Sequence, residues 1–466
     1  MHNPLNMSEI CKLLAAVTLA VLEIHAQEPQ HIDGYKGIWF DLGQRTTFGS
    51  KYSGGLATYS AKHTPMAVYS KEANKTFFVY GGTTDAKQRH LLAMIGYYDH
   101  RTNTVIKPVV VHDKENVNDP HDNPSIQIDG EGHLWVFVSG RARHRPGIVY
   151  RSDKPFDIHS MRHIENWEFT YPQSWWVSNQ GFLMFYTKYT RGRELYIRRT
   201  GTDGGKWDRE QKLAAMGGHY QVSSAHDKHL FTAFNMHPGG NVDLRTNLYF
   251  VQSHTGGKTW LDIQGTKLEL PLTDVNGAAL VRDYRKEKRL VYMKDIATDF
   301  MGMPAILYIT SASHQPGPPG APRMWTIARW DGYRWQFHEV APASHNYDMG
   351  SLYIAHDEWK IIAPIENGPQ PHGAGGEIAV WTSKNEGKSW QKEKQLTGGS
   401  GMNHGYVRRP HCAHPEFHGF WADGNPDQPS KSRLYFTDRS GSAVWQLPYV
   451  MKAEMAKPIK LDLPKP

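Results

Sequence analysis

Cysteine is nearly absent: Cys11 and Cys412 are the only two in 466 residues. Cys11 falls in a leader-like segment, so the remaining chain has one thiol and no internal disulfide framework. A lone thiol in an oxidising compartment needs burial or ligation. Long apolar runs are scarce too. The run from Leu13 to Leu22, after Lys12, is too short to span a bilayer stably. With Ile24-His25-Ala26-Gln27 behind it, it reads as a signal peptide cut after Ala26, with Met7 as an alternative start. Export to the periplasm or the cell exterior is the expectation. No stretch reads as an interdomain linker; Gln315 to Pro322 is short and reads as a surface loop. The Gly-rich piece Lys51-Tyr52-Ser53-Gly54-Gly55-Leu56 has no phosphate-loop spacing. No basic nucleic-acid motif is present, which with export argues against a nucleic-acid partner.

What is there is a repeat. Asp119-Pro120-His121-Asp122-Asn123-Pro124 opens a short alternating strand, the turn Asp129-Gly130-Glu131-Gly132 follows, and a more apolar strand runs to Val138. That is a hairpin signature. Similar hairpins open at Lys62-His63-Thr64-Pro65, Tyr171-Pro172, Tyr220-Gln221, Asn276-Gly277, Tyr347-Asp348 and His414-Pro415. Seven hairpins at roughly 50–70 residue intervals fit four-stranded propeller blades with variable loops. The expected fold is all-β, one seven-bladed propeller over residues 27–466. Gly34 to Gln44 is read as a short strand closing the ring. Ser253 to Trp260 and Ser383 to Trp390 share a Ser-x-x-x-Gly-Lys-x-Trp pattern, and Thr202 to Trp207 is a shorter cousin. These look like Asp-box turns of sialidase-type propellers, where glycine supplies positive φ and tryptophan packs between blades.

Lysine and arginine number 53 against 46 acidic residues, a net charge of +7, with 26 histidines and 12% aromatics. Aromatic faces stack on sugars and cations meet carboxylates or sulfates, so an acidic polysaccharide is the favoured partner. Solubility charge is the plainer reading. A monomer is expected.

The segments GYKGIWFDLGQ, KYSGGL, KTFFVYGG, YYDHRT, DPHDNP, FTYPQ, TKYTRGRELY and RTNLYF together resemble bacterial BNR-4 propellers, and within them the ulvan lyases of polysaccharide lyase family 25. The related α-L-rhamnosidases of glycoside hydrolase family 145 share this vocabulary. The resemblance covers essentially the whole mature chain and implies β-elimination at a 4-linked uronic acid. That reaction needs carboxylate neutralisation, a base for the C5 proton and an acid for the leaving O4.

His121 is the first candidate, because a blade start between Pro120 and Asp122 is an unusual place for a core histidine. A loop histidine bonded to Asp122 or backbone is the alternative. The resemblance implies that this histidine is an active-site residue. His100, ending the preceding blade, is read as a neighbour in substrate binding. Tyr171 begins the next blade, and Lys188 ends its second strand. The resemblance implies a catalytic tyrosine paired with a basic residue, usually arginine; the resemblance puts Lys188 there, with Tyr189 and Arg193 as substitutes in another register. Tyr220 and His237 match positions lining the family's site. Arg245 either reaches the substrate carboxylate or ties two blades together.

His404, His411, Cys412, His414 and His418 form a late cluster. Thiolate and imidazole together suggest zinc, with His345, His404, Cys412 and His414 as the candidate ligands. The alternative is scattered loop histidines and a buried thiol. The resemblance implies a structural role for such a zinc. Three functional readings compete: a lyase, a rhamnosidase and a non-catalytic acidic-glycan binder. The rhamnosidases place a histidine in the early loop, where this chain has Gln44, which weighs against hydrolysis. A sialidase lacks support, since no arginine triad is evident.

Overall fold

The computed structural model describes residues 30–56, 63–85, 90–202, 204–226 and 228–465. The segment read as a signal peptide lies outside them. The described residues form strands and four short 3₁₀ turns, with no α-helix among them. Seven antiparallel sheets follow one another in chain order. Their innermost strands are Ala67–Ser70, Pro124–Ile128, Thr170–Val177, Gln221–His226, Leu290–Thr298, Ser351–Ile354 and Asn403–Arg408. In each blade the chain steps outward through hairpins. Between blades the inner strands run alike: Thr64 bridges Gln173 and Val68 bridges His411, both in parallel. The strand starts therefore converge on one face, and that is what positions the site.

Five hairpins open where the sequence places them; two do not. Leu280–Arg282 is the outermost strand of blade four, and blade five begins at Leu290. Blade seven begins at Asn403, and Gly419–Gly424 is its second strand. Short apolar strands look alike at the axis and at the rim, so the alternating pattern cannot rank them.

The ring closes at several points. Gly37 bridges both Gly82 of blade one and Ser432 of blade seven, as expected of a closing segment. The C-terminal stretch adds a second seam: Met455–Ala456 pairs with Thr104–Ile106 of blade one, and Ile459–Leu461 pairs with Val444–Gln446 of blade seven. The Asp-box turns are structural. Ser253 Oγ accepts from Gly257 N at 2.9 Å, and Ser383 Oγ accepts from Gly387 N at 2.9 Å. Trp260 is buried and packs on Phe185 of blade three at 5.6 Å between centroids, so it fills the seam between blades.

Candidate active site

Tyr171 is the centre of the converging strand starts. Its backbone sits at φ +58°, a left-handed conformation unfavourable for a bulky side chain. The strain coincides with a register shift between Thr170 and Gln173, a bulge that re-aims the ring. The side chain is fully buried. Three rings surround it: His121 at 5.4 Å, His63 at 5.8 Å and Tyr220 at 5.6 Å between centroids.

His121 stands on the 3₁₀ turn Pro120–Asp122, capped by Asp119, whose side chain accepts the His121 N–H at 3.0 Å. The Asp119 carboxylate also bonds His121 Nδ1 and receives Arg141 at 2.9 Å and Arg145 at 2.6 Å. Burial pushes the Asp119 carboxyl up, but the hydrogen bond from His121 and the Arg141 charge outweigh it and hold it below the usual range. Asp119, rather than Asp122, therefore orients the imidazole and leaves Nε2 for a ligand. Asp122 is engaged with Lys114 at 2.9 Å and Arg145 at 2.8 Å.

Tyr220 carries the site into blade four. Its ring lies 4.6 Å from that of His237, which is fully buried with both ring nitrogens unpartnered. Burial, reinforced by Arg245, keeps His237 well below the usual histidine range, hence neutral. Arg245 is 1% exposed and lies 4.8, 4.6 and 5.4 Å from the rings of Tyr220, Tyr292 and Tyr347. It thus ties blades four, five and six by cation–π contact at the edge of the same face.

Lys188 does not join this group. It ion-pairs with Glu210 and lies over Tyr196, on the other side of its strand. The next residue, Tyr189, points the other way, because strand side chains alternate. Arg193 stacks on Tyr189 at 5.5 Å. Burial raises the Tyr189 phenol, with Tyr220 adding to the effect while Arg193, Arg141 and Tyr171 oppose it, so all four adjoin it. Arg193 Nε is buried without a partner. The basic residue beside Tyr171 is therefore Arg193, seconded by Arg141, both of which feel the Tyr171 phenol.

His100 is also elsewhere. It follows the outer end of blade one, bonded to Thr76 at 2.8 Å and Glu416 at 3.1 Å, because its strand runs away from the site face. The predicted zinc set does not converge. His345 Nδ1 accepts the Tyr347 N–H, His404 Nδ1 accepts the Trp421 indole N–H, and Cys412 lines a surface cavity with Lys360, Arg409 and Arg439. Cys412 is not among the groups of side chains whose ligand atoms come together for a metal among the described residues. His414 instead meets His100 and Glu416, with ligand atoms within 4.8 Å of one another. His63, Asp119 and Arg141 were missed by sequence reading. His63 had a findable signal, since it opens blade one as His121 opens blade two.

Residues 87–343 match the BNR repeat-containing family. The chain belongs to that family. An ulvan lyase of Nonlabens ulvanivorans is 23% identical over 314 residues, 59% of this chain and 65% of the relative. An ulvan lyase of Pseudoalteromonas sp. (strain PLSV) is 21% identical over 277 residues, 52% of this chain and 56% of the relative. The matches thus span less than two thirds of these relatives. A solved polysaccharide lyase family 25 ulvan lyase superposes with a TM-score of 0.69 at 15% identity, covering 88% of this chain and 96% of its own. A second structure of such a lyase, with the same score and coverage, has -[GlcA(1-4)Rha3S]- bound. This BNR-repeat chain thus shares its propeller with lyases, and its strained tyrosine lies where the blades converge.

Proposed function

We propose that the chain is a polysaccharide lyase that cleaves a rhamnose–uronic acid polymer such as ulvan by β-elimination at the 4-linked uronic acid. The observation that carries this is Tyr171: buried, strained, ringed by His121, His63 and Tyr220, and flanked by two guanidiniums. Arg193 and Arg141 take the neutralising role in place of Lys188, and a planar fork suits a carboxylate better than an ammonium does. They put positive charge where negative charge builds up on the carboxylate as the C5 proton leaves. His121, oriented by Asp119, holds the proton of the Tyr171 phenol, so that Tyr171 acts as a phenolate. The phenolate takes the C5 proton as the C4–C5 double bond forms, and the phenol gives that proton to O4 as the C4–O4 bond breaks, which restores the phenolate. The named lyase relatives and the sugar bound in a structural neighbour support this reading. The test is ultraviolet absorbance of purified protein with ulvan: a rise reports an unsaturated uronic product. A flat trace with free rhamnose favours the glycosidase, and a flat trace without it favours a binder. Gln44 lies exposed in the N-terminal loop and offers no proton-transfer group to a hydrolase.

Export, with cleavage after Ala26, belongs to the same proposal. So does the structural zinc, for which His100, His414 and Glu416 are the proposed ligands; two imidazoles and a carboxylate are a zinc-compatible set.

A further inference from the structure

Beneath the site, on the propeller axis, lies a cavity of about 20 Å³ lined by residues that include Thr64, Trp175, Ser223, Asp295, Ser351 and Arg408. Arg408 is 2% exposed, and its Nε, Nη1 and Nη2 are all buried without a hydrogen-bond partner. Its guanidinium rests on the Tyr406 ring at 4.5 Å. Several polar groups around it have partners of their own. Asp295 accepts from Leu352 N at 2.8 Å and from Ile296 N at 2.9 Å, and faces Arg409 at 3.7 Å. One carboxylate thus stands against two guanidiniums. Ser223 donates to Gln173, and Ser351 donates to the Val407 carbonyl. A guanidinium stays charged in any ordinary protein setting, and Asp295, shared between Arg408 and Arg409, offsets only part of the two buried charges.

We propose that this cavity binds one small inorganic anion, chloride, through Arg408. The volume suits a single small guest. A water molecule fits as well, but brings no charge to offset the guanidinium. The anion is separate from the substrate site and does not depend on the lyase reading.

Crystals of the whole chain grown in sodium bromide test this directly. An anomalous bromine peak beside Arg408 is expected. In solution, Tm should rise by about 1–2 °C per tenfold increase in chloride over gluconate at equal ionic strength. Arg408→Gln should abolish that increment. A cavity holding only water in bromide overturns the proposal, as does equal Tm in chloride and gluconate for the wild-type chain. Both of these readings use the wild type, so a variant that fails to fold does not block the test.

Discussion

The distinction between Lys188 and Arg193 rests on strand alternation and is open to a direct test. Arg193→Gln is expected to lower kcat/KM on ulvan by about 100-fold or more, the scale of losing a charged group that stabilises developing negative charge. Lys188→Ala should change it by less than about threefold, since Lys188 serves a half-buried ion pair with Glu210. Steady-state kinetics on the two variants decides between them; the reverse ranking would restore Lys188. At this scale the sequence was legible where a residue opens a blade. His121, Tyr171 and Tyr220 follow from one rule, that an unusual polar or aromatic group at an inner-strand start faces the axis. His63 obeys the same rule and was passed over. Asp119, Arg141 and Arg145 were not legible, because their roles depend on a loop folding back onto the Pro120–Asp122 turn. His100 misled because a strand's two ends carry equally polar residues and lie on opposite faces.

At the scale of elements, the hairpin rhythm revealed seven blades, and the Asp-box pattern marked two of their tips. Blades five and seven were misplaced, since a short apolar segment such as the rim strand Leu280–Arg282 carries no mark of its place in the blade. The seams between elements were the least readable. His414 sits near Cys412 in sequence, yet its ring is 3.8 Å from that of His100 in another blade. That contact joins blade one to blade seven, where Met455–Ala456 also closes the ring. If His100, His414 and Glu416 hold zinc, chelation should release about one equivalent of metal and lower Tm by several degrees, through loss of a ligand bound only by the folded state. Elemental analysis of the purified chain, with His100→Ala as control, checks this. A metal-free wild type with an unchanged Tm in chelator contradicts it.

The whole molecule buries many histidines in neutral form. His219 is fully buried and His411 partly so, and burial lowers each to about 4; His345 is lowered to about 3, again mainly by burial. In the unfolded chain such groups take up protons near pH 6.5. Stability from these sites is therefore complete above about pH 6.5 and falls as pH drops toward 4, because the unfolded state binds the protons first. At pH 5 each contributes about 2 kcal/mol of destabilisation. Proton uptake on denaturant unfolding should rise from about one at pH 7 to about three at pH 5 from these three residues alone. A flat profile would mean they are protonated in the folded state. The same ring holds Tyr171 in its strained position, since a bulge at the axis persists only when the neighbouring blades over-determine it.

The central claim is that Tyr171 lies at the heart of an eliminating, not hydrolysing, site. Mass spectrometry of the products from ulvan tests it most directly, comparing wild type with Tyr171→Phe. Elimination yields oligosaccharides one water lighter than hydrolysis would, and the account predicts those from the wild type. Tyr171→Phe should produce them at least about 100-fold more slowly. Products at the mass of hydrolysis, or a Tyr171→Phe variant as active as the wild type, would contradict the account.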